Sequence, residues 1–200
     1  IKKEKIHNFS VVNLSKDICD LLKKLKIHKY HLIGHDFGSY VSSYIALLYP
    51  QYIISLTIMS MPFGGPPKKE NINKLATINR ELSYLQPRRK HYQYYFSSKK
   101  AASNILNCRQ GLKSFLRNYF YFKSYDYPKN KPFKLTSYTA TALAKMPEYY
   151  IMNYTLGMSQ TVLKFTPSQN EINNCKWLTD EDLLIYYNSF KLRGIQEPLN

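Results

Sequence analysis

The sequence predicts an α/β fold in which part of a parallel sheet is followed by a mostly helical unit. Within residues 15–59, a helical pattern, an apolar run, a glycine-containing turn, a second helical pattern and a second apolar run follow one another. This order is typical of a parallel sheet whose crossovers are helices. After the Gly/Pro cluster at residues 62–67, strand-like runs become scarce. We therefore expect two domains, 1–67 and 68–200.

The elements of the first domain follow from apolar spacing and capping signals. We expect a helix over 15–26, a buried strand over 30–33, a helix over 39–49 and a buried strand over 53–59. Ser15 is the expected cap of the first helix, and Asp17 lies in its predicted first turn, where negative charge is favourable. Pro50 is expected to end the second helix.

Helices dominate the prediction for the second domain. Apolar periodicity between the prolines predicts helices over 69–85, 99–121, 137–145, 146–162 and 180–191. We expect this domain to be a mostly helical unit that is joined to the sheet-containing domain.

The charge of the chain is strongly positive, with a net charge of +16. Such a charge is compatible with nucleic-acid or anionic-membrane binding. The basic residues are scattered, however, and the densest cluster, Arg88-Arg89-Lys90, has only three members. We therefore predict a solvated lysine-rich surface and no nucleic-acid partner. Because 18 apolar residues nowhere follow one another, no membrane span is expected either.

The three cysteines show neither a metal-binding nor a disulfide pattern. Cys19, Cys108 and Cys175 are odd in number and far apart in the chain. They are expected to be reduced, partly buried apolar side chains, which favours a cytoplasmic location. No metal and no organic cofactor are predicted, and the sequence predicts no oligomeric state.

A candidate nucleophile lies in the turn Gly34-His35-Asp36-Phe37-Gly38, between an apolar strand and a helix. In this context a G-x-D-x-G sequence is typical of a nucleophile elbow, whose central residue is pushed out of the sheet. We expect Gly34 and Gly38 to be required, because side chains at these positions would clash in so tight a turn. The backbone amide of Phe37 would supply half of an oxyanion hole.

The central residue indicates the chemistry. An aspartate is ionised at neutral pH, so Asp36 needs no base to attack. It suits displacement at saturated carbon, which gives an alkyl-enzyme ester that water activated by a histidine then hydrolyses. Ser39 and Ser42 lie behind the elbow and are poor substitutes. The alternative is that Asp36 only caps the following helix.

Several segments in order resemble the epoxide hydrolases of the α/β-hydrolase superfamily. These segments are residues 32–39 at the elbow, 61–67, 88–96, 110–121, 143–147 and 177–181. The resemblance implies that Asp36 is the nucleophile and that Tyr92, in the Tyr-Gln dipeptide of a cap, donates a hydrogen bond to the epoxide oxygen. It also implies a small apolar epoxide and water as reactants. Tyr94, Tyr95 and Phe96 are expected to line or pack the cap, and Trp177 to pack.

The sequence also departs from the pattern of this family. The His-Gly-x-Pro turn that supplies the second oxyanion amide is absent, and no histidine occupies the position of the family's catalytic base. The stretch 194–200 reaches the edge of the segment that carries the second cap tyrosine. From Ile1 and from this stop at Asn200, we interpret the chain as an incomplete fragment. It should be alkylated at Asp36 without turning over.

Two kinds of alternative to an epoxide hydrolase remain, and the first is a haloalkane dehalogenase or another hydrolase of the same superfamily. Haloalkane dehalogenases also use an elbow aspartate, but they place Trp after it, whose N–H helps to hold the halide. Phe37 has no such donor, and the Tyr-Gln motif favours an epoxide. The second alternative is a non-catalytic binding protein that has the same fold, because fold does not determine function.

Overall fold

The chain divides into two compact units, Ile1–Pro67 and Lys68–Asn200. A computed structural model of the chain describes residues 6–66 and 73–195. The boundary follows the Gly/Pro cluster at residues 62–67, and Pro67 and Lys68 themselves lie outside the described residues. Each unit has a hydrophobic core of its own.

The first unit is a helix-strand-helix-strand arrangement. Its elements are a 3-10 turn (Ile6–Phe9), α1 (Val11–Lys24), β1 (Tyr30–His35), α2 (Phe37–Leu48) and β2 (Ile53–Met59). Strands β1 and β2 pair in parallel, with Leu32 opposite Leu56 and His35 opposite Met59. The predicted parallel α/β order is confirmed, and the boundaries of α2 and β2 agree with the prediction to within two residues.

The predicted start of α1 is wrong. The helix begins at Val11, and Ser10 caps it by accepting a hydrogen bond from the backbone N of Asn13 at 3.3 Å. Ser15 lies inside the helix, is fully buried, and donates to the carbonyl oxygen of Val11 at 2.7 Å. The helix starts one turn earlier because Val11 and Leu14 pack against the core of this unit.

Only one face of the β1–β2 sheet is covered by the helices. Leu32 and Ile53 pack against a core formed by Cys19, Val41 and Ile45 of α1 and α2. On β1 the alternate residues are exposed, Ile33 to 71%, and on β2 every residue after Ile53 is exposed, Ile54 to 56%. The expectation of fully buried strands is therefore wrong for this chain. Within the described residues, α1 and α2 provide the packing partners of a single face.

The second unit is mostly helical, as predicted. Its described elements are α3 (Lys74–Ser83), β3 (Arg89–His91), α4 (Tyr92–Phe96), α5 (Lys99–Leu106), α6 (Gly111–Lys123), α7 (Ala140–Leu143), β4 (Ile151–Asn153), α8 (Met158–Leu163), α9 (Gln169–Asn174) and α10 (Asp180–Arg193). None of the helices in the described ranges is long and apolar enough to cross a membrane.

Two of the predicted helices of this unit are not continuous. The helix expected over 99–121 is divided into α5, which ends at Leu106, and α6, which begins at Gly111, whose φ of 77° lies outside the helical region. The helix expected over 146–162 is wrong: residues 151–153 form β4, which pairs antiparallel with β3. Tertiary pairing overrides the local pattern here. The start of the helix expected over 69–85 lies outside the described residues.

A buried arginine connects two helices of this unit. Arg117 of α6 donates to the carbonyl oxygen of Leu178 at 2.6 Å and to Oδ1 of Asp180, at the start of α10, at 3.0 Å. Trp177, which precedes Leu178, is half-exposed, and its indole N–H donates to Oδ2 of Asp126 at 2.6 Å. The expectation that Trp177 is a packing residue is therefore only partly met, because a polar contact at the surface orients the indole.

The short strand β3 is fixed to its neighbours through His91. The backbone N–H of His91 donates to Oδ1 of Asn79 on α3 at 2.8 Å. Its ring Nδ1 accepts a hydrogen bond from the backbone N of Gln93 at 3.3 Å and so caps α4. Burial lowers the pKa of His91. Both the burial and the cap therefore favour the neutral imidazole.

We expect His91 to make the stability of the protein depend on pH. A histidine whose pKa is lower in the folded than in the unfolded protein binds fewer protons when folded. The free energy of unfolding should therefore fall as the pH drops below the ordinary histidine value of 6.5, and keep falling until the pKa of the folded state is reached. Urea unfolding between pH 7.5 and pH 5 measures this loss.

The matched variants are His91→Asn, which keeps an acceptor for the cap, and His28→Asn at an exposed position. The pH-dependent loss should shrink in His91→Asn and persist in His28→Asn. An unchanged loss in His91→Asn would show that other groups cause it.

Candidate active site

The elbow of the first unit holds Asp36 in an uncommon backbone conformation. Strand β1 ends at His35 and α2 begins at Phe37, so Asp36 alone makes the turn. Its φ of 53° and ψ of −124° lie in a region that costs a non-glycine residue about 1–3 kcal/mol. The Asp36 side chain is exposed and makes no capping hydrogen bond to α2. The alternative role as a helix cap is therefore wrong.

Backbone and serine hydrogen bonds hold this turn in place. The backbone N of Asp36 donates to the carbonyl oxygen of Met59 at 3.2 Å, and that of Ser39 donates to the carbonyl oxygen of Asp36 at 3.0 Å. The fully buried Ser39 hydroxyl lies 2.8 Å from the carbonyl oxygen of Gly34 and 2.7 Å from that of Met59. It also accepts from the backbone N of Met59 at 3.2 Å. Ser39 thus joins α2 to the ends of both strands.

The two glycines of the turn differ in what they require. A Cβ added to Gly34 would lie 2.5 Å from the carbonyl oxygen of Gly38 and 2.7 Å from the Cα of Ser39. These are backbone atoms, so they cannot move aside without displacing the helix. A Cβ added to Gly38 meets nothing within 4 Å among the described residues. The expected clash at Gly38 is therefore wrong, because the tight approach involves only its backbone.

The start of α2 offers an electropositive environment next to Asp36. The amide of Phe37 is the first of the helix, so it has no carbonyl acceptor one turn earlier within it, and the helix dipole favours negative charge at this end. The Phe37 side chain is half-exposed. The Phe37 ring centroid lies 6.4 Å from the Tyr40 ring centroid, and the Tyr40 ring centroid lies 6.1 Å from the Phe63 ring centroid. A hydrogen bond with Tyr44, together with burial, raises the pKa of Tyr40 to about 12.

In the second unit, Tyr92 is held at the junction of β3 and α4. Its backbone N donates to the carbonyl oxygen of Tyr150 at 2.8 Å. Its half-buried ring lies 5.2 Å from that of Tyr150 and 5.8 Å from that of Phe96, both edge-on, and 5.1 Å from the ring of His91. The hydroxyl-bearing ring is therefore oriented by aromatic contacts on several sides.

A cluster of tyrosines surrounds a lysine near Tyr92, and the sequence did not reveal it. The ammonium of Lys123 lies 5.1, 5.8 and 5.6 Å from the ring centroids of Tyr119, Tyr149 and Tyr150. Burial raises the pKa of Tyr119, and its neighbours Tyr92, Tyr150 and Tyr149 raise it further. A signal existed in the spacing of Phe115, Tyr119 and Lys123, which lie four residues apart on one face of α6.

The other predicted cap residues have different surroundings. Phe96 is buried, and the Tyr95 hydroxyl donates to Oδ1 of Asn104 at 2.9 Å. Tyr94 is 47% exposed. Among the described residues, no three His, Cys, Asp or Glu side chains lie close enough to hold a metal ion. Among the four histidines whose side chains the structure describes, none is hydrogen-bonded to a carboxylate: His31 bonds Ser55, and His91 caps α4.

Sequence comparison relates the chain to a known family. A family profile described as the alpha/beta hydrolase fold matches residues 2–156. The bifunctional epoxide hydrolase 2 of Sus scrofa is 24% identical over 195 residues, which are 98% of this chain and 29% of that protein.

Solved structures with a similar fold include three epoxide hydrolases. One from an endophytic Streptomyces has a TM-score of 0.68 at 20% identity and covers 99% of this chain and 51% of its own. Epoxide hydrolase A of Mycobacterium thermoresistibile has a TM-score of 0.66 at 22% identity, with coverages of 99% and 52%. Potato epoxide hydrolase I (Solanum tuberosum) has a TM-score of 0.62 at 19% identity, with coverages of 100% and 52%. The chain thus spans about half the length of these solved structures.

The contrast between the two glycines is testable by stability measurements. Gly34→Ala should lower the free energy of unfolding by about 3 kcal/mol, because the added methyl group meets backbone atoms. Gly38→Ala should stay within about 1 kcal/mol of the original protein, since its Cβ enters open space and alanine favours a helix. Chemical denaturation of both variants checks this. Equal losses in the two variants would show that the close approach does not limit the turn.

Proposed function

Because the chain belongs to the α/β-hydrolase fold family, we propose that it carries the nucleophile and part of the cap of an enzyme that hydrolyses epoxides to vicinal diols. We assign Ile1–Pro67 to the hydrolase core and Lys68–Asn200 to the cap. The observation that carries the proposal is the exposed carboxylate of Asp36, held at a strained position between β1 and α2. The resemblance to epoxide hydrolases supports the choice of substrate.

In the first half-reaction we assign the attack to Asp36. One carboxylate oxygen forms a bond to an epoxide carbon, and the bond between this carbon and the ring oxygen breaks. The ring oxygen becomes an alkoxide, to which the phenol of Tyr92 donates its proton. The product is an alkyl ester on Asp36 that carries a free hydroxyl group.

In the second half-reaction water attacks the carbonyl carbon of this ester. The tetrahedral oxyanion would accept a hydrogen bond from the Phe37 amide at the start of α2. A histidine paired with an acid would take one proton from the attacking water. Collapse breaks the bond between the carbonyl carbon and the alkyl oxygen, which takes that proton back from the histidine and leaves as the diol. The proton left on the Asp36 carboxyl returns through solvent to the Tyr92 phenolate, which restores both the carboxylate and the phenol. Among the histidine side chains that the structure describes, none pairs with an acid, and we assign this role to no described residue.

The surroundings of the elbow favour a small apolar substrate. Next to Asp36 in the chain, the first unit exposes Phe37, whose ring centroid lies 6.4 Å from that of the partly buried Tyr40. Behind it, the ring centroids of Tyr40, the buried Tyr44 and the partly buried Phe63 are 5.1–6.1 Å apart. These rings provide apolar contact area and no cationic group. A haloalkane remains the rival substrate, but the Phe37 side chain offers no N–H donor to a halide.

We expect Asp36 to be alkylated stoichiometrically when the protein is mixed with styrene oxide. Intact-mass spectrometry should show one added styrene oxide, and peptide mapping should place it at Asp36. This reaction does not require the histidine of the second half-reaction, so it tests the nucleophile even without turnover. Asp36→Ala should show no adduct.

Product analysis separates the rival functions. Diol formation from styrene oxide that disappears in Asp36→Ala supports the epoxide proposal. Halide release from 1-chlorobutane without diol formation would replace it by a dehalogenase. A folded protein that shows neither an adduct nor a product would favour the binding-protein alternative.

The role of Tyr92 predicts a second kinetic effect. Tyr92→Phe should lower kcat for diol formation, or the rate of Asp36 alkylation, by about a hundredfold, because one donor to the developing alkoxide is lost. The matched control is Tyr94→Phe, two residues further on and half-exposed, which should change the rate less than about twofold. Similar rates in both variants would remove Tyr92 from the mechanism.

A further inference from the structure

An open cavity of about 990 Å³ lies in the second unit, between α3, β3 and α5. Its described lining includes Thr77, Arg80, Lys90, Tyr94, Lys100 and Tyr154. Tyr92 is not one of them, and the mechanism proposed above makes no use of this cavity. Its volume is at the upper end of the range for small-molecule sites.

The charge of the lining is one-sided. Arg80 on α3, Lys90 on β3 and Lys100 on α5 bring three cations to the same cavity, and none of the described lining residues is acidic. Within the described ranges, none of the three forms a salt bridge with Asp or Glu. Three cations on separate elements repel one another unless an anion lies between them.

Lys90 is the least solvated of the three cations. Its side chain is partly buried, and its ammonium lies 5.0 Å from the centroid of the Tyr95 ring. That ring is itself fixed, because the Tyr95 hydroxyl donates to Asn104. Burial lowers the pKa of Lys90, and no neighbouring charge offsets this effect among the described residues. A bound anion would supply the compensation that the lining lacks.

The other lining residues could pack against the aromatic or apolar part of an organic ligand. Tyr94 and Tyr154 contribute rings to the lining, and the Arg88 guanidinium stacks 3.9 Å above the ring of Tyr154. Thr77 and Ser98 add hydroxyl groups that can donate to an oxyanion. Cations that converge with aromatic walls in one concave site are suited to a small amphipathic anion.

We propose that this cavity binds a small organic anion, whose carboxylate or phosphate group is held by Arg80, Lys90 and Lys100 while its aromatic or apolar body packs against Tyr94 and Tyr154. The site is independent of the Asp36 chemistry.

The test measures equilibrium binding to the purified protein by isothermal titration calorimetry. The probes are naphthalene-2-carboxylate, 2-naphthyl phosphate and the neutral naphthalene-2-carboxamide. Both anions should bind with a stoichiometry of one, at least about tenfold more tightly than the amide, because each gains charge-assisted hydrogen bonds. The tighter of the two anions identifies the head group. If the amide binds as tightly as the anions, the cavity is an apolar groove and the proposal is overturned.

Two triple variants with the same change in net charge separate a site from general attraction. Arg80→Gln/Lys90→Gln/Lys100→Gln should weaken anion binding by about tenfold or more and leave amide binding unchanged. Lys129→Gln/Lys131→Gln/Lys134→Gln removes three exposed lysines of the loop between α6 and α7, and it should change anion affinity less than about twofold. Equal losses in the two triple variants would overturn the proposal.

Folding and independence from the elbow are controlled separately. Circular dichroism should show the same helix content in both triple variants, and the single variant Lys100→Gln, on an exposed position of α5, provides a milder change. It should still weaken anion binding, by about threefold. Asp36→Ala should bind the anions with the original affinity, so that a failed epoxide assay leaves this test valid. A Lys100→Gln variant with unchanged affinity would exclude this residue from the site.

Discussion

The elbow depends on the close approach of the β1 backbone to the first turn of α2. Because an added Cβ at Gly34 would lie 2.5 Å from the carbonyl oxygen of Gly38, this distance can be reached only without a side chain at Gly34. The approach brings the buried hydroxyl of Ser39 within hydrogen-bonding distance of both strand ends. Those bonds in turn hold Asp36 at its positive φ. The exposed carboxylate is thus the result of packing that lies behind it.

Local patterns predicted the first unit well where a single side chain or a turn decides the structure. Residues 53–59 form the predicted strand, and the G-x-D-x-G turn lies between strand and helix as expected. The start of α1 was missed because the packing of Val11 and Leu14 in three dimensions extends the helix, whereas Ser15 only resembles a cap. The exposure of the strands was not predicted, because an apolar run shows only that its side chains favour burial. Whether they are buried depends on how many helices or strands cover the sheet.

The second unit shows where sequence reasoning stops. Motif context predicts a role for Tyr92, but its neighbours Tyr119 and Tyr150 come from α6 and from the segment before β4. No local pattern brings these segments together. The same holds for the cations Arg80, Lys90 and Lys100, which belong to three elements and are scattered in the sequence. The charge of +16 appeared to be a diffuse surface property, yet part of it converges on one cavity.

The strain at Asp36 is stored in the main chain, since its φ and ψ are set by the bonds of Ser39 and Met59 and not by the carboxylate itself. Any residue with a side chain would meet a similar backbone cost at this position. The identity of the side chain at the tip of the turn is therefore nearly decoupled from the architecture that presents it. A different side chain at this position would be presented in the same way, without a change in the hydrogen bonds behind it.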